Sequence, residues 1–112
     1  MRVVQMIDSL DSGGAERMAV TFANELVDKV AFSGLVTTRE EGNLKETIDV
    51  NVSYLFLNKK NTFDFYALSK CRRYLIENKV THIHAHGSSF FFAFLIKVLL
   101  PKIKLFWHDH HG

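Results

Sequence analysis

Two hydrophobic periods take turns along this chain. Strand-length segments at Val3–Ile7, Ala31–Thr37, Val50–Leu57, Thr81–His86 and Lys102–Trp107 alternate with segments of helical period. The plainest helix carries Ala15, Met18, Ala19, Phe22, Ala23 and Leu26 on one stripe, with Glu16, Arg17, Asn24, Glu25 and Asp28 on the other side. A second helix is predicted over Asp64–Asn78, with Phe65, Leu68, Cys71, Arg72 and Leu75 roughly on one face. Asp64 suits its start by charge and by capping chemistry. A third helix is predicted from Phe90 to about Leu99, capped by Ser88 and Ser89 and stopped by Pro101. Leu44–Ile48 suggests one helical turn, while Arg39–Gly42 and Asn58–Asn61 read as polar loops.

Strands alternating with helices imply an α/β domain built on a doubly wound parallel sheet. About five strands in the order 3-2-1-4-5, joined by right-handed crossovers, are expected as one domain over residues 1–112. The third helix is apolar almost all round, so its outer side is expected to be covered by further chain, a second subunit in a homodimer through Phe90–Leu100, or a membrane surface.

Composition removes several function classes. Apolar residues make up 47% of the 112, which fits a folded core and not a disordered chain. A formal net charge of +2 gives no electrostatic case for nucleic acid. Cys71 is the only cysteine, so no internal disulfide exists and a reducing, cytoplasmic setting is expected. The apolar run before Asp8 is too short for a secretion signal, and Phe90–Leu100, interrupted by Lys97, is too short to span a bilayer. The expectation is therefore a cytoplasmic protein, peripheral to a membrane at most.

Ligands of such sheets bind beyond the carboxyl ends of the strands, near the switch in strand order. Three segments converge there: Asp8–Gly14 after the first strand, His86-Gly87 after the fourth, and His108-Asp-His-His111 after the fifth. Gly13 and Gly14 let a ligand approach the backbone closely, and the free N–H groups of the following helix favour an anion. His82, His84 and His86 alternate along the fourth strand and share a face; they could bind a metal or serve as hydrogen-bonded core histidines. The terminal histidine run has no identifiable supporting partner, so no metal and no cofactor is expected.

Leu10-x-x-Gly-Gly-Ala-Glu-Arg17, placed directly after the first strand, resembles the N-terminal signature of retaining GT-B glycosyltransferases, the family-four or "group 1" class. Phe106-Trp-His-Asp109 is similar to that family's strand–histidine segment. The resemblance implies a Rossmann-like N-terminal, acceptor-side domain of an enzyme that transfers a sugar from a nucleotide-sugar donor to a glycan or lipid-linked acceptor. It implies retention of configuration and a place in bacterial surface-polysaccharide synthesis at the inner face of the membrane. His108 is the implied catalytic residue. Gly13 and Gly14 face the donor diphosphate, and His86, Gly87, Asp109 and His110 are candidate acceptor or substrate contacts. The family's second, nucleotide-binding domain with its E-x7-E segment is not within these residues, so a truncated chain, inactive in isolation, is expected. The alternative is a stand-alone phospholigand-binding or protein-interaction module of the same fold.

Overall fold

The computed structural model describes residues 1–108. Five strands, β1 (Arg2–Ile7), β2 (Phe32–Thr37), β3 (Ser53–Phe56), β4 (His82–His86) and β5 (Lys104–His108), form one parallel sheet in the order β3-β2-β1-β4-β5. Three helices, α1 (Gly14–Leu26), α2 (Phe65–Glu77) and α3 (Phe90–Leu99), make the crossovers. The chain moves one way across the sheet from β1 to β2 and the other way from β3 through β4 to β5. Right-handed crossovers therefore put α1 on one face and both α2 and α3 on the opposite one.

Each face has its own core. Val4, Met6, Val36, Ile83 and Ala85 point toward α2 and α3, where they meet Leu68, Cys71, Leu75, Phe92 and Ile96. Ile7 and Leu35 point toward α1 and meet Ala19, Val20 and Ala23. The side chains of β1 are buried on both faces, as a central parallel strand requires. Gly34 sits where a Cβ would lie only 2.8 Å from the Tyr74 hydroxyl. Its missing side chain lets Tyr74 cross the strand and hydrogen-bond Ser53 at 2.7 Å.

Several local expectations change. The third strand is shorter than Val50–Leu57, because Asp49 turns the chain by accepting from the Asn51 amide at 2.8 Å and Val50 is left exposed. The buried face of α2 is Ala67, Leu68, Cys71 and Leu75, whereas Phe65 and Arg72 lie outside it. Asp64 does cap α2, accepting from the Ala67 amide at 3.0 Å. This bond and one from the Lys60 amide hold its carboxyl below the usual range.

Ser88 and Ser89 do not cap α3. Both reach back toward β1: Ser89 Oγ donates to the Met6 carbonyl at 2.9 Å, and Ser88 Oγ donates to Asp8. The outer side of α3 is covered only in part by described residues: Phe63 meets Phe91 edge to face at 5.8 Å, and Phe91, Phe94, Val98 and Leu99 remain exposed. No helix among the described residues is long and apolar enough to cross a membrane.

Candidate functional site

The carboxyl edge of the sheet is organised by Asp8, a residue that motif reading passes over. It ends β1, is buried, and accepts from Thr38 Oγ1 after β2 and from Ser88 Oγ after β4. Arg39 adds a cation 3.6 Å from its carboxylate. One carboxylate thus ties together the loops on both sides of the point where strand order reverses. An aspartate closing an apolar strand at a switch point was the available signal.

Gly13 and Gly14 stand beside this knot. Gly13 is the N-cap of α1 and has no side chain with which to cap it, so no side-chain hydrogen bond closes the helix start. The Gly13 amide donates to the Asp11 carbonyl at 2.7 Å, and the first-turn N–H groups that follow have no side-chain acceptor from the N-cap. Gly14 is open: a Cβ there would meet nothing within 4 Å. At Gly13 the same Cβ would lie 2.6 Å from Glu16 Oε1, so the Glu16 carboxylate folds back over the turn. An arriving anion would have to displace that flexible side chain.

Gly87 carries the loop after β4 through a left-handed turn, φ +59°, with the first turn of α1 beside it at Ala15. Trp107 Nε1 donates to the Gly87 carbonyl at 3.1 Å and its ring packs 4.8 Å from Phe90, so the ends of β4 and β5 are tied together.

The histidines of β4 divide into different kinds. His82 pairs with the Thr81 hydroxyl at 2.7 Å and stacks on Phe106, with ring centroids 5.9 Å apart. His86 is fully buried, and its Nε2 lies 2.7 Å from Gln5 Oε1. An acceptor cannot touch His86 in this arrangement except through its neighbours. His108 sits opposite His86 in the β4–β5 register and is half-buried. Its ring stacks 5.6 Å from His84 and 5.9 Å from His86. The Phe22 ring of α1 lies against all three, at 5.2, 6.0 and 6.3 Å from His84, His86 and His108. The cluster therefore combines one member of the expected terminal group with two of the strand, and leaves His82 out. Asp109 and His110 lie outside the described residues.

The arrangement offers a helix N-terminus with no side-chain cap and the Glu16 carboxylate folded over it, a half-buried imidazole on the same edge, and Arg39 paired with Asp8. The family model of Glycosyltransferase Family 4 matches residues 12–112. No curated protein is significantly similar to the chain.

Proposed function

The chain belongs to glycosyltransferase family 4, and on that premise we propose that it forms the N-terminal, acceptor-side domain of a retaining enzyme using a nucleotide-sugar donor. The observation that carries the reading is the meeting of Gly13–Gly14, Gly87 and His108 at the carboxyl edge of one sheet.

The costly event in such a transfer is the charge gathering on the departing diphosphate as the anomeric C–O bond breaks. Fixed N–H groups at the start of α1 would stabilise that charge without a metal. The acceptor oxygen bonds to the anomeric carbon on the same face as the breaking bond, and its proton passes to the departing diphosphate oxygen, which leaves with the electron pair. His108 orients the sugar by hydrogen bonding near the anomeric centre. Gly87 borders the acceptor side, with His86 buried behind His108 as its support, and Asp109 and His110, outside the described residues, stay candidate acceptor contacts by sequence alone.

The nucleotide is assigned to a second Rossmann-like domain, so residues 1–112 alone are expected to turn over no donor. A glycan or lipid-linked acceptor, at the cytoplasmic face of a bacterial membrane during surface-polysaccharide assembly, fits the exposed aromatic side of α3.

The test is His108→Ala in the longer enzyme that carries this domain. Turnover should fall while the unfolding temperature holds. Nucleotide-sugar turnover by the purified 112-residue chain would overturn the domain assignment.

A further inference from the structure

We propose that the face formed by α2 and α3 docks on a bilayer containing anionic lipid. Charge is divided unevenly along the chain. Residues 58–104 hold nine Lys and Arg against two Asp and Glu, whereas residues 1–57 hold five against nine. The basic stretch supplies α2 and α3 on one face of the sheet, and the acidic stretch supplies α1 on the other. The two acids of the basic stretch both belong to α2: Asp64 caps its start and Glu77 ends its last turn. The ion pairs among the described residues, Arg39–Asp8 and Lys45–Glu41, both fall in the acidic stretch.

The same face is apolar where it is bare. A groove of about 510 Å³ between α2 and α3 is lined by Phe63, Phe65, Leu95 and Val98, with Arg72 at its side. At Leu99 it meets a second groove of about 300 Å³ bordered by Lys79 and Lys102. Phe65 is 77%, Val98 61% and Phe63 58% exposed. Contiguous exposed apolar surface marks a contact. Aromatic and aliphatic groups rimmed by Arg and Lys match a membrane boundary. The apolar groups enter the acyl region, while the long cationic side chains stay level with the lipid phosphates. A second copy is the weaker occupant, because a two-fold interface would bring this basic patch against itself.

Both helices begin at the carboxyl edge of the sheet, so Phe63, Phe65 and Phe91 lie at the end of the face nearest Gly87. The bilayer would then stand beside the crevice and present a lipid-borne acceptor to it. Only this consequence rests on the functional reading above; the docking itself does not.

The test is co-sedimentation of the 112-residue chain with vesicles, with no sugar donor or acceptor present. One set is phosphatidylcholine alone, and the other is equal parts phosphatidylcholine and phosphatidylglycerol. The chain should sediment with the anionic vesicles, stay in solution with the neutral ones, and be released as salt is raised. Arg72→Glu/Lys102→Glu and Phe65→Ser/Val98→Ser should each weaken binding by about tenfold or more. All four side chains are exposed, so the unfolding temperature should hold. Arg17→Glu/Lys29→Glu, the same change of charge in and beside α1, should weaken binding far less. The lipid comparison uses the unaltered chain and so stands whether or not the variants fold. No uptake, equal uptake by both vesicles, or equal damage from the two charge reversals would overturn the proposal. Dimerisation abolished by Phe65→Ser/Val98→Ser, with no vesicle uptake, would assign the face to a second copy and overturn it too. None of these failures touches the transferase reading, because no turnover is measured.

Discussion

Gly14→Val separates what the fold requires from what a ligand requires. Gly14 opens α1 with an ordinary backbone conformation, and an added Cβ would meet nothing within 4 Å. In a helix, Gly is about 1 kcal/mol and Val about 0.6 kcal/mol less favourable than Ala, so stability should change by no more than about +0.5 kcal/mol. That corresponds to a rise of at most about 3 °C in unfolding temperature for a domain of this size. A diphosphate oxygen drawn toward the same N–H groups would instead meet two methyl groups. Losing a charge-assisted hydrogen bond costs about 1.5–3 kcal/mol, so donor affinity should fall roughly ten- to a hundredfold. Circular dichroism melts of the 112-residue chain measure the first effect, and donor KM in the longer enzyme measures the second. Gly87→Ala is the contrast: its φ of +59° forces a side chain into the left-handed region, costing about 1–2 kcal/mol. Its unfolding temperature should drop by about 5–10 °C. Unchanged donor affinity in Gly14→Val would refute the anion role of this turn, and a stability loss above about 1 kcal/mol would refute the open helix start.

Three further outcomes are expected. His108→Ala in the longer enzyme should lower kcat/KM by about a hundredfold, the usual scale for losing one positioned donor, and equal losses of activity and stability would make the residue structural. Phe92, 1% exposed between α3 and the sheet, should cost about 3–5 kcal/mol as Phe92→Ala in urea unfolding. Burial pushes the Cys71 thiol up to about 12 and raises the Tyr74 and Tyr54 hydroxyls as well. The folded state therefore holds these protons longer than the unfolded one, and stability should be full near pH 8 and decline above pH ~9. Cys71→Ala should flatten that decline, and an identical alkaline profile for both proteins would contradict it.

The order of elements was legible because each strand and helix states its own period. Ala15 through Leu26 kept its stripe only in part: Ala19, Val20 and Ala23 are buried, whereas Met18 is exposed and Phe22 is pulled over the histidines. The error at α2 has a similar source. Periodicity places Phe65 and Arg72 within one turn of the buried face, but the first and last turns of a helix can overhang the sheet that it covers. The serines after β4 were misread for a different reason. Ser88 bonds the distant Asp8 carboxylate, while Ser89 keeps a local role one turn early: its Oγ accepts from the His86 amide at 3.2 Å, closing the Gly87–Ser89 turn, and also reaches the Met6 carbonyl. Asp8 itself could not be ranked, since its role depends on Thr38 and Ser88 arriving from two other loops.

The histidines show what periodicity can and cannot decide. Alternation along β4 puts His82, His84 and His86 on one face and Ile83 and Ala85 on the other, but it does not say which face is dry. The crossovers decide that. With α2 and α3 together on one side, Ile83 and Ala85 are buried completely. With α1 on the other, lying over β1 and β2, the β4–β5 half of that face is only partly covered by described residues. Phe106 remains 56% exposed, and a groove of about 360 Å³ runs past Met1, Gln5, Leu26, His82 and His84. Imidazoles tolerate this intermediate setting better than leucines, because one edge can be hydrogen-bonded and the other wet. Sliding β4 by one residue would move the histidines into the dry core and the aliphatic residues onto the groove, at a cost the fold could not meet. The handedness of the crossovers thus selects the histidine face, and the parallel register of β5 then delivers His108 to it.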